Sequence, residues 1–158
     1  MDLRRAEGEL TAVLGAWALA SGVGGGLAWV AGGRGGRPGL AAFGRQTVAW
    51  GAVDGVIAAA GVTRRVRGTS APSVDDRARR RLRGILVANA VLDVGYVATG
   101  VVLAVGAPRL ERRWPARAGT LAGTGLAVVV QGSALLVLDS VFAARLAPPQ
   151  PGAAAVPS

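Results

Sequence analysis

The chain has 158 residues, of which 51% are apolar and 17% charged, with a mean hydropathy of +0.43 and a formal net charge of +9. It contains no Cys and no His, which excludes disulfides, thiolate nucleophiles, zinc sites of the Cys/His type and His general bases. A chain this apolar is expected to be a membrane protein, and its 18 basic residues, all Arg, collect between apolar runs without interleaved aromatics, so nucleic acid is not an expected partner.

Four spans are predicted in chain order: residues 10–30, 40–63, 84–106 and 118–144. Each has the roughly 20 residues needed to cross about 30 Å of hydrocarbon. All eight prolines fall outside them, as expected if proline breaks helices. The linkers "GGRGGRPG", "RRVRGTSAPSVDDRARRRLR" and "APRLERRWPAR" gather Gly, Pro and charge, the composition of turns. Pro72 followed by Ser73, Asp75 and Asp76 predicts that the third helix starts near Val74, ahead of its span. The tail, residues 147–158, has no periodicity and is expected to be disordered. The fold class is therefore all-α: a single four-helix transmembrane bundle over residues 1–146, in up-down order.

Orientation follows from arginine asymmetry. Arg4, Arg5, Arg145 and the eight arginines of the second linker share one side; Arg34, Arg37, Arg45, Arg109, Arg112, Arg113 and Arg117 share the other. The richer side is expected to be cytoplasmic, placing both termini there in a multi-pass protein of the inner (plasma) membrane. The competing reading of "TAVLGAWALA" as a signal-peptide core is disfavoured, because Asp2, Glu7 and Glu9 offset the basic n-region and the apolar run continues past the "ALA". The same placement puts Arg77, Arg79, Arg80, Arg81 and Arg83 at the level of anionic lipid headgroups, although a plain topology signal also explains them.

The informative residues are the polar ones inside the spans. At about 100° per residue, Asn89, Asp93 and Tyr96 share one helix face, as do Gln46, Trp50 and Asp54; Gln131 and Asp139 share a face of the last span with Thr120 and Thr124. Counting 1.5 Å per residue from the arginine-rich side, Asp54 and Asp93 lie at a common depth of roughly 13 Å, and Asn89 and Asp139 at roughly 8 Å. The expected pairs are Asp54 with Asp93 and Asn89 with Asp139. The first span offers only Ser21 as an internal polar group and reads as a packing helix. Gly22 with Gly26, Gly51 with Gly55, Gly95 with Thr99, and Gly119 with Gly123 are spaced for close helix approach.

No Lys or Arg stands at the depth of Asp54 and Asp93, so at least one is expected to hold its proton and donate to Asn89, Gln131 or another carboxylate. The cluster of Gln46, Asp54, Asn89, Asp93, Tyr96, Gln131 and Asp139 then serves helix packing and assembly, including assembly with a second copy or another membrane protein. The alternative is proton- or cation-linked transport, or binding of a lipid or quinone within the bundle. No catalytic constellation is present: "AVDGVI" and "VLDVGY" lack the surroundings of intramembrane aspartyl proteases, and "GVGGGLAW" follows no strand, so neither an enzyme nor a cofactor is expected.

The segments "WGAVDG", "LVANAVLDVGYVATGVVL" and "VVVQGSALLVLD" together resemble a family of uncharacterised four-span prokaryotic membrane proteins, over about residues 40–143. The shared pattern is Trp50-Gly51 followed by a polar residue, Asn89-x-x-x-Asp93-x-x-Tyr96, and Gln131-Gly132 followed by Asp139. Related chains favour Asn where this one has Asp54. The resemblance implies the architecture and the residues to watch, and it implies no reaction.

Overall fold

The computed structural model describes residues 3–68 and 76–148. Four helices make up almost all of it: α1 (Leu3–Arg34), α2 (Pro38–Val66), α3 (Asp76–Gly106) and α4 (Pro115–Arg145), with one 3-10 turn, Ala107–Leu110, between α3 and α4. No strand occurs among the described residues. At 29 to 32 residues each, the helices run to roughly 45 Å, longer than a bilayer core. α1, the α3 stretch Asp76–Leu110 and α4 are each long and apolar enough to cross a membrane. α2 has the length, but Arg45, Gln46 and Asp54 dilute its apolar character.

The helices extend past the apolar runs because backbone hydrogen bonding does not stop where charge begins. α1 takes in Arg4, Arg5, Glu7 and Glu9, and α3 takes in Arg77 to Arg83. The expected start of α3 near Val74 and the tail from Pro149 onward lie outside the described residues.

Local chemistry sets the helix ends. Gly36 takes φ 60°, Arg37 N–H donates to the Gly32 carbonyl at 2.8 Å and Gly36 N–H to Gly33, which together form a Schellman ending for α1. Pro38 then opens α2 and Pro115 opens α4, each in the first turn, where a missing N–H costs nothing. Gly68 closes α2 in the same left-handed region, at φ 66°.

Glycine decides how closely the helices approach. A side chain on Gly44 would run into the backbone of Gly25 and Trp29, one on Gly32 into Ala41, and one on Gly51 into Ser21 and Ala18; these contacts join α1 to α2 antiparallel. Gly39 meets Gly119 and Gly123 between α2 and α4, and Gly100 meets Gly125 between α3 and α4. Two of the four expected pairs are displaced from these seams. Gly22, Gly26 and Gly95 have nothing within 4 Å of where a side chain would stand. The inward glycine of the first helix is Gly25, because spacing alone does not fix which face turns in.

The bundle is therefore a chain of close contacts, α1 on α2, α2 on α4 and α4 on α3. Backbones of α2 and α3 do not pack in this way. At the arginine-rich end, Leu3 and Ala6 of α1 meet Leu86 of α3 and Phe142, Ala143 and Leu146 around α4 in an apolar cluster. Large apolar side chains face outward on every helix, among them Leu19, Val56, Val91 and Val137.

Candidate functional site

Gln131 is 1% exposed and lies where α4 faces α1. Its amide oxygen accepts from Trp17 Nε1 at 2.6 Å and its amide nitrogen donates to Ser21 Oγ at 3.0 Å. Trp17 and Ser21 sit one turn apart on α1, so a single amide binds that helix with both ends of its dipole. Ser21 is in place for the same reason that α1 approaches α2 so closely: its Cβ rests where Gly51 has no side chain. Sequence reasoning overlooked Trp17, whose bulk made it look like one more apolar residue.

Asn89 of α3 stands within interaction distance of Asp139 of α4. Asn89 sits toward the exposed side of α3, whereas Asp139 is buried. The threonines stay out of these networks. Thr47, Thr99 and Thr120 each donate to the carbonyl four residues back, at 2.8 to 2.9 Å, which satisfies the hydroxyl within its own helix.

Asp54 and Asp93, 2% and 4% exposed, are as deeply buried and differently placed. They lie on α2 and α3, across the gap that the backbones do not close, and within electrostatic reach of one another and of Asp139. Gln131, one of the expected partners of Asp93, is taken by Trp17 and Ser21. Among the described residues, Asp54 Oδ2 and Asp93 Oδ2 are buried with no hydrogen-bond partner, and so is Trp50 Nε1. Arg5 and Arg145 make their ion pairs with Glu9 rather than with these carboxylates.

Trp50 and Tyr96 bridge the gap. Their rings meet edge to face, with centroids 5.3 Å apart and planes at 74°. Trp50 is one turn from Asp54 and Tyr96 is three residues from Asp93, so the aromatic pair lies beside the carboxylates on the side of the α1–α2 turn. Gln46 stands half-buried two turns before Asp54 and bonds to none of the other polar residues. No set of three or more Asp and Glu side chains among the described residues gathers closely enough to hold a metal ion.

The arginine-rich end also differs from expectation. Arg79 donates to the carbonyls of Leu146 and Ala147 at 3.1 and 2.9 Å, and Arg83 to Ala143 at 3.3 Å. Two of the five arginines assigned to lipid headgroups thus cap the last turn of α4, whose terminal carbonyls have no helical donors.

The chain belongs to the family of unknown function DUF6992, whose model matches residues 13–140 and so takes in parts of all four helices. No curated protein and no solved structure matches it.

Proposed function

We propose that this chain is a multi-pass integral membrane protein in which the bonded polar groups assemble the helices and the Asp54–Asp93 pair holds an exchangeable proton. The observation that carries this reading is the unequal use of hydrogen bonds. Gln131 bonds to Trp17 and Ser21 with both ends of its amide, whereas Asp54 Oδ2, Asp93 Oδ2 and Trp50 Nε1 have no partner. Polar groups kept only to hold helices together would leave no such atoms, since each buried unpaired group costs free energy. Two adjacent carboxylates without a cationic partner require a neutralising ion, and a proton needs no coordination shell of the kind that Asp54 and Asp93 alone do not provide.

The reading assigns no catalysis. It places all four helices across the plasma membrane, with α2 shielded between α1 and α4 and both termini on the cytoplasmic side, where arginine is in excess. A cysteine introduced as Arg112→Cys, between α3 and α4, is then expected to react with an impermeant reagent from outside; reaction from the cytoplasm alone overturns the topology. The proton site is tested with a hydrophobic carbodiimide, which reacts with protonated carboxyls in bilayers. Peptide mapping is expected to find the adduct on Asp54 or Asp93 rather than on Asp139, and suppressed in Asp54→Asn/Asp93→Asn. Equal labelling of Asp139, or none at Asp54 and Asp93, overturns it.

A further inference from the structure

A second site lies at the arginine-rich end, in a pocket of about 380 Å³ between the start of α1, the end of α2 and the start of α3. Arg64 and Arg65 from α2 and Arg81 from α3 line it together with Glu7, and Leu82 and Ile85 form its apolar side. Three guanidinium groups against one carboxylate leave the pocket cationic. Arg64 is already engaged within the protein. Arg65 and Arg81, like Arg64, are exposed.

Arg65 lies against α1. Gly8 on α1 leaves the slot in which the Arg65 guanidinium lies, and a side chain there would come within 2.9 Å of its Cζ. Arg81, by contrast with Arg79 and Arg83 on the same helix, turns away from the α4 terminus and into this pocket. Ile85, 48% exposed, continues one turn from Arg81 down the outside of α3 toward Val91 and Leu92, which are also exposed. Cationic forks above an apolar strip, at the end of an apolar span, are complementary to one amphiphile: a phosphate ester carrying hydrocarbon chains.

We infer that this pocket binds the headgroup of an anionic phospholipid, with Arg65 and Arg81 on its phosphate and an acyl chain along Ile85. The site is separate from the Asp54–Asp93 pair and rests only on the membrane reading. The position of the ligand is specified by two helices at once, so binding also ties the end of α2 to the start of α3, the two helices whose backbones do not pack.

The test uses the full chain purified in detergent and exposed to phosphatidylglycerol or phosphatidylcholine. Native mass spectrometry is expected to show preferential retention of phosphatidylglycerol, and the melting temperature is expected to rise with phosphatidylglycerol alone. Headgroup attraction of the usual size gives about a fivefold loss of retention for Arg65→Gln or Arg81→Gln and about twenty-five-fold for the pair. Arg109→Gln/Arg112→Gln, at the opposite end, should change neither readout. Equal retention of the two lipids by the parent, or equal losses in both double variants, overturns the proposal. So does full competition by excess inorganic phosphate, which would make the ligand a soluble anion. Should the double variant fail to fold, the parent's melting shift still decides. Failure of the membrane reading itself would look different: the chain would leave membranes in an alkaline wash, whatever its lipid preference.

Discussion

The α1–α4 face and the α2–α3 gap present similar polar residues at neighbouring depths and treat them in opposite ways. On the first, Gln131 meets Trp17 and Ser21 at 2.6 and 3.0 Å. Across the second, Asp54 Oδ2 and Asp93 Oδ2 stand buried without a hydrogen-bond partner, and the Trp50–Tyr96 ring contact bridges the helices. Glycine accounts for the difference. Gly25, Gly32, Gly44 and Gly51 bring α1 onto α2, Gly39, Gly119 and Gly123 bring α2 onto α4, and Gly100 and Gly125 bring α3 onto α4, whereas no glycine seam joins α2 to α3. Close backbones let short side chains reach partners, and a gap filled by aromatic rings does not. On the proposed reading, helix assembly and proton holding are thereby separated within one polar layer.

The largest effect in breaking this contrast is expected from the seams. Gly44→Leu sets a side chain against the backbone of Gly25 and Trp29 and should cost about 3 kcal/mol or more, or prevent folding, while Gly22→Leu, facing outward, should melt like the parent. Equal melting temperatures would remove glycine as the cause. Next comes Gln131→Leu, which unpairs Trp17 and Ser21; at about 0.6 kcal/mol for an average membrane hydrogen bond and about 1.7 for the strongest, two bonds give a loss of about 1 to 3 kcal/mol. Thermal denaturation in detergent reads both.

Asp93 sharpens the comparison from the other side. Because Asp93 Oδ2 has no partner to lose, Asp93→Leu and Asp93→Asn should both melt within about 1 kcal/mol of the parent, a smaller change than Gln131→Leu. Both should abolish carbodiimide labelling at that position. A large loss with Leu and none with Asn would instead mark Asp93 as a hydrogen-bonded strut. The smallest effect is expected at Glu9, whose ion pairs to Arg5 at 2.8 Å and Arg145 at 3.3 Å are solvent-screened; Glu9→Gln should leave the melting temperature unchanged within error, at low and at high salt.

How far such contrasts can be read from sequence depends on what each residue requires. Prolines 38 and 115 and the glycine-rich turn at 35–36 mark helix boundaries directly, because φ restriction and the left-handed region are local properties. Depth along a helix also carries information: it places Asn89 level with Asp139, and the two side chains come within interaction distance. Rotation is harder. Gly25 rather than Gly22 or Gly26 turns inward, and Gly100 rather than Gly95, since in a stretch rich in small residues the facing side is chosen by the partner helix. Trp17 could have been found by its one-turn spacing from Ser21, the hydroxyl in the interior of its span. The capping role of Arg79 and Arg83 had no local signal, because it depends on where α4 ends 60 to 68 residues later.

The Schellman turn at Gly36 has a consequence for biogenesis. α2 is the one helix that does not meet the length and apolarity of a span by itself, and it carries Arg45 and Asp54. A segment with such charges partitions poorly from the insertion machinery into lipid when it arrives alone. The tight turn delivers it directly against α1, where Gly44 meets Gly25 and Gly32 meets Ala41. On the proposed membrane reading, the unit expected to enter the bilayer is the α1–α2 hairpin, and lengthening the loop at Gly36 would separate a helix apolar enough to insert alone from one that needs its neighbour to do so.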